Sequence, residues 1–129
     1  MHVIDLVPAE GITHDGPTAV MRLAIALQGL PTDGGSLAGR LYVHKVRGDH
    51  ESATTSPLAL YLTARVGAAV TVTGVCIEVD HEDFSYRMRT PDFVRDFLLD
   101  AASGDFPLTE GEPSIGDVTA IDAFATVHR

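Results

Sequence analysis

The alternation of apolar and polar residues predicts short strands along most of this chain. Segments with a two-residue apolar period are separated by clusters of Gly, Pro, Asp and Ser, which is typical of strands joined by turns. No internal repeat or long linker divides the sequence, so residues 1–129 are expected to form a single domain. The predicted strands lie at residues 2–7, 19–28, 37–46, 57–66, 68–79, 83–89 and 117–127.

The segment 19–28 fits two interpretations, because its Ala, Leu and Met residues also favour a helix. As a strand, it places its apolar odd-numbered residues on one face. As a helix, it would place Ile25 between Arg22 and Gln28 on the polar side. We interpret the segment as a strand on this ground and keep the helix as the alternative.

The segment 68–79 changes its apolar face at Gly74. Before this glycine the apolar residues have even numbers, and after it they have odd numbers. A continuous strand changes its buried face only where a residue is inserted or the chain bends. We therefore predict a β-bulge or corner at Gly74, which favours a closed barrel or a sandwich over a flat sheet.

One amphipathic helix is predicted at residues 91–102. Thr90 suits its N-cap, Pro91 its first position and Ser103-Gly104 its end. The predicted fold is therefore mainly β, at the margin of α+β, and consists of an antiparallel β-barrel or β-sandwich of about seven strands with this helix. The apolar residues of the helix share one face: Phe93, Val94, Phe97, Leu98 and Ala101.

Composition and charge narrow the function classes. The chain is 45% hydrophobic and carries a net charge of −9, and residues 78–122 hold twelve acids against three arginines. This acidity argues against nucleic acid as the partner. No apolar run could span a membrane and no signal peptide is evident, so the cytoplasm is the expected compartment. The single cysteine excludes an intramolecular disulfide.

A polar cavity is the first candidate for chemistry. Strand alternation would place Arg40, Tyr42 and His44 on one face of 37–46, and Tyr61 and Arg65 on one face of 57–66. Arginine, tyrosine and histidine on facing strands could bind an anion or transfer protons. The alternative is that these side chains form the solvent face of an antiparallel sheet.

A metal site is the second candidate. His50 and Glu51 follow one predicted strand, and His81 and Asp83 lie in an acidic cluster after another. Imidazole and carboxylate groups are ligands of zinc, manganese and non-haem iron. The alternative is a set of solvated turn residues, because the sequence lacks a paired-cysteine or His-Glu-x-x-His motif. No cofactor is predicted, and a divalent metal is kept only as this candidate.

The sequence favours a binding or assembly module over an enzyme, because no set of residues matches a catalytic motif. We expect an acidic protein that acts through protein–protein contacts with a partner or with itself, as a homo-oligomer. The alternative is a small enzyme or a small-molecule-binding β-barrel with the polar cavity described above, with or without a metal.

Overall fold

A computed structural model describes residues 16–81 and 84–121. These residues form four α-helices and an open three-stranded antiparallel sheet. The helices are α1 (Gly16–Gln28), α2 (Gly34–Val43), α3 (Pro57–Val66) and α4 (Asp92–Ala102), the strands are β1 (Ala69–Val72), β2 (Cys76–His81) and β3 (Phe84–Arg89), and a 3-10 turn covers Pro107–Thr109.

The predicted β-barrel or β-sandwich is wrong. None of the segments 19–28, 37–46 and 57–66 is a strand: the first lies within α1, the last is α3, and residues 37–43 of the second belong to α2. Residues 117–121 form no strand, and the rest of the predicted strand 117–127, like the strand at 2–7, lies outside the described residues. The protein is therefore an α+β fold with a small open sheet.

Helix α1 shows why the pattern of 19–28 was misinterpreted. Ile25 does lie on the outer side of the helix, where it is 41% exposed. Arg22 is buried, and its Nη1 donates a hydrogen bond to the carbonyl oxygen of Val66 at 3.2 Å. A single exposed isoleucine costs little, and a buried arginine is tolerated when it is hydrogen-bonded. Neither residue therefore excludes a helix.

The ends of α2 and α3 carry capping signals that the strand interpretation overlooked. The side chain of Asp33 accepts a hydrogen bond from the backbone N–H of Ser36 at the start of α2. Ser56 caps α3 in the same way, and Gly67 ends that helix in a left-handed conformation with φ of 81°. These are the residue types that helix termini prefer.

The change of apolar face at Gly74 comes from a hairpin instead of a β-bulge. Strands β1 and β2 pair antiparallel, with Val70 opposite Val79 and Val72 opposite Ile77. Each pair joins an even-numbered residue to an odd-numbered one, so both strands present their apolar residues on the same face. These four residues are buried against the helices.

The predicted helix at 91–102 is confirmed as α4, and the predicted strand at 83–89 is confirmed over the span of β3. The proposed cap is wrong. The Thr90 hydroxyl donates to the carbonyl oxygen of Thr73 at 2.6 Å, and α4 begins after Pro91 without a side-chain cap. Val94, Phe97 and Ala101 form the buried side of α4.

Candidate interaction surface

Arg40, Tyr42 and His44 do not share one face, because they lie at the end of a helix and not on a strand. Alternate residues of a helix point about 200° apart. The guanidinium of Arg40 donates to the carbonyl oxygen of Gly29 at 3.1 Å, after the end of α1. Tyr42 is exposed on another side of α2.

His44 and Tyr61 do meet, with ring centroids 6.2 Å apart. The Nδ1 atom of His44 lies 2.9 Å from a carboxylate oxygen of Asp117, a partner that the sequence analysis missed. Arg65 donates to the carbonyl oxygen of Thr119 at 3.1 Å. These contacts hold the chain's own segment 117–121 against α2 and α3. The structure thus gives His44 and Arg65 hydrogen-bond partners within the chain.

The predicted metal ligands are placed separately. His50 is buried, and its Nε2 lies 2.8 Å from the Thr109 hydroxyl, while Glu51 is exposed. His81 ends β2, and Asp83 lies outside the described residues. Within 16–81 and 84–121, no group of three or more His, Cys, Asp or Glu side chains could hold a metal ion.

Strand β3 forms an edge of the sheet whose order is β1-β2-β3. Tyr86 and Met88 lie opposite Val79 and Ile77 of β2. The backbone N–H groups of Val70 and Val72 bond outside the sheet. In an antiparallel sheet the N–H and C=O groups of successive residues point to opposite sides of a strand. Ile77 and Val79 lie opposite Val72 and Val70 and therefore point their groups towards β3. Tyr86 and Met88 point theirs back towards β2.

The intervening residues of β3 therefore point their backbone groups away from the sheet. In the described part of the chain, the N–H groups of Ser85, Arg87 and Arg89 have no backbone partner. A row of unpaired donors and acceptors of this kind is a template for another strand.

The apolar face of β3 is incompletely covered. Phe84, Tyr86 and Met88 are only half-buried, in contrast to the fully buried Ile77 and Val79 of β2. A groove of about 450 Å³ runs between this face and α1. Its walls include a stripe of α1 side chains, Val20, Ala24 and Leu27, together with Tyr86, Met88 and Phe93. We call this space the β3 groove.

The opposite face of β3 is polar. Arg87 lies 3.4 Å from a carboxylate oxygen of Glu78 across the strand pair. The Ser85 hydroxyl donates to Asp80 at 3.1 Å. One side of the open edge is thus charged and the other is apolar, which is the usual arrangement of a strand that a further strand can join.

None of these edge residues is marked as functional by its residue type or spacing in the sequence. The sequence did predict the strand itself, from the alternation of Phe84, Tyr86 and Met88 with Ser85, Arg87 and Arg89. An edge is defined by the order of strands and by what covers them, and neither is visible in local periodicity.

Comparisons of this chain with protein-family models, with curated proteins and with solved structures found no match. Across the described ranges, no helix combines the length and apolar character needed to cross a membrane.

Proposed function

We propose that this protein is a self-associating binding module, in which β3 pairs antiparallel with β3 of a second copy. Two three-stranded sheets would then join into one of six strands. The observation that carries the proposal is the open edge of β3 beside an apolar groove. The cytoplasm remains our prediction for its compartment.

The charges on β3 favour one register. With Tyr86 facing Tyr86 of the second copy, Arg87 lies opposite Ser85 in both directions. A shift of two residues in one direction places Arg87 opposite Arg87, and like charges directly opposite each other are destabilising. The same shift in the other direction pairs Ser85 with Ser85 and leaves only residues 84–86 of each β3 paired. The favoured register also gives a cross-strand tyrosine pair on the apolar face.

The second layer supports the same arrangement. Below the joined sheet, the α1 stripe of each copy would approach that of the other and close the β3 groove. The stripe is already apolar, and Met21 and Ile25 add exposed apolar surface on the same helix. Burial of such surface is the main favourable contribution to association.

The proposal is tested by measuring the mass in solution over a range of protein concentrations, using light scattering and sedimentation. The wild type is expected to form dimers. Arg87→Pro removes an N–H from each copy without removing a bond to β2, because this N–H points away from β2. Proline is tolerated at such edge positions. The substitution should weaken dimerisation at least about 30-fold, or ~2 kcal/mol, since two backbone hydrogen bonds of ~1 kcal/mol each are lost.

Two further variants separate backbone pairing from other effects. Arg87→Gln keeps the N–H and should remain dimeric. Ala24→Glu places charge in the β3 groove and should weaken the dimer while leaving α1 helical, because glutamate is a good helix former. A wild type that stays monomeric at high concentration, or an Arg87→Pro variant as dimeric as wild type, would overturn the proposal.

A further inference from the structure

A second exposed cavity lies at the C-terminal end of α2, apart from the β3 groove. It has a volume of about 330 Å³ and is lined by Tyr42, Val43, Lys45, Val46, Arg47 and Leu108. A neighbouring cavity of about 250 Å³ shares Tyr42 and Leu108 and extends along α2 over Ala38. We call the two together the α2 groove.

The apolar lining of the α2 groove is solvent-exposed. Tyr42 is 53% exposed, Val43 70% and Leu108 66%. Single exposed apolar residues are common, but three around one cavity mark a candidate binding surface. The groove is thus an apolar surface without a cover in the described residues.

Two cations lie at one end of this groove, in a protein with a net charge of −9. Among the described residues, neither Lys45 nor Arg47 forms an ion pair. Glu112 and Asp117 line a further depression together with Lys45 and Arg47, but neither acid is within ion-pair distance of these cations, and Asp117 contacts His44 instead. The positive charge is therefore available to a ligand.

The backbone holds these cations in place. The N–H and the carbonyl group of Arg47 both bond to Ser114, at 3.0 and 2.9 Å. Lys45 has a φ of 64°, a conformation that is uncommon for a residue other than glycine. Gly116 packs so closely that a Cβ there would overlap the carbonyl oxygen of His44. A fixed backbone lowers the entropic cost of binding.

We propose that the α2 groove binds a short segment of another protein that carries apolar side chains next to carboxylates. The apolar lining would take the apolar side chains, and Lys45 and Arg47 would take the carboxylates. A second copy bound groove to groove would bring the four cations together, which opposes that arrangement. A negatively charged membrane is an extended surface that would also face the acidic remainder of the protein, whereas a short segment contacts the groove alone.

The test uses a labelled peptide with Leu-Phe-Leu between two pairs of Asp, and fluorescence anisotropy as the readout. Two control peptides replace the Asp residues with Lys, or the Leu-Phe-Leu with Ser. Only the first peptide should bind, and added sodium chloride should weaken its binding. The same result is expected with Arg87→Pro, so the measurement does not depend on self-association.

Variants of the groove locate the binding site. Leu108→Ser and Arg47→Gln should each weaken peptide binding at least about tenfold. Val75→Ser is the matched control, because Val75 is an exposed apolar residue that lines neither cavity. The Val75→Ser variant should bind the peptide as tightly as wild type does. Circular dichroism shows whether each variant is folded.

Several outcomes would overturn the proposal. The first is that the Asp peptide does not bind to the folded wild type. The others are that either control peptide binds equally well, or that binding is unchanged in both groove variants. Binding to vesicles of anionic lipid, with loss in Arg47→Gln and no peptide binding, would assign the groove to a membrane surface instead.

Discussion

The two edge strands of the sheet differ in whether their outward-pointing N–H groups are hydrogen-bonded. At β1, the N–H of Val70 donates to the Thr63 hydroxyl at 3.0 Å, and the N–H of Val72 donates to the carbonyl oxygen of Ala53 at 2.9 Å. At β3, the corresponding groups of Ser85, Arg87 and Arg89 have no backbone partner in the described residues.

This difference shows that the outward N–H groups of an edge strand find acceptors where the strand lies against the helices. Helix α3 and the loop before it supply both acceptors for β1. Strand β3 lies next to a groove instead, and its apolar face is only half-covered. Because unpaired edges promote association, the contrast directs our proposal of self-association to β3 and away from β1.

The largest expected effect comes from placing proline on each edge in turn. Val72→Pro leaves the carbonyl oxygen of Ala53 without its donor, at a cost of about 1–3 kcal/mol, and disturbs the packing of a buried side chain. The two effects together should lower the free energy of unfolding by about 3 kcal/mol. Arg87→Pro removes a donor that has no backbone partner among residues 16–81 and 84–121, and it should change the stability of the monomer by less than ~1 kcal/mol. Urea unfolding at low protein concentration measures both.

Val72→Ala is the control for the lost side chain in this pair of variants. Its destabilisation should be clearly smaller than that of Val72→Pro, because it keeps the backbone donor. Equal losses of stability for the two proline variants would show that the edges do not differ.

A smaller effect is expected from opening β1 through its side-chain partner. The Thr63 hydroxyl accepts from the N–H of Val70 and lies 3.4 Å from the carbonyl oxygen of the same residue. Thr63→Val keeps the shape but leaves these groups unpaired, at a cost of about 1–3 kcal/mol. Thr63→Ser retains the hydroxyl and should lose less stability. The reverse order in thermal unfolding would contradict this role.

The part of the fold that sequence predicted correctly has unambiguous local signals. Helix α4 combines Pro91 at its start with an apolar face of 3.6-residue period, and β3 alternates without interruption. Segments 19–28 and 57–66 are rich in leucine and alanine, which also favour helices, so their alternation did not distinguish a strand from a helix. In α3, the sequence Ser56-Pro57 and the later Gly67 were the stronger evidence, and they indicate a helix.

The candidate surfaces were less predictable than the fold, because they depend on contacts between distant segments. Tyr42 and Leu108 line one groove although 65 positions separate them in the sequence. His44 was named from its residue type, yet its partner Asp117 could be found only from the structure. Residue type alone therefore identified side chains but not their surroundings.

The smallest expected effect is the response of dimerisation to salt, and it separates the β3 edge from the α2 groove. Two copies that each carry a charge of −9 repel one another, and salt screens this repulsion. Backbone hydrogen bonds and apolar burial should respond less. Raising sodium chloride should therefore strengthen dimerisation about threefold to tenfold, or by less than ~1.4 kcal/mol, as measured by sedimentation.

Peptide binding at the α2 groove should respond in the opposite direction, because it joins unlike charges. Sodium chloride is used because sulfate would also strengthen apolar burial. If salt instead weakened dimerisation, ion pairs would hold the two copies together, and the contact would lie at a surface other than β3. Opposite salt responses of the two equilibria would thus distinguish backbone pairing at the open edge from charge recognition at the end of α2.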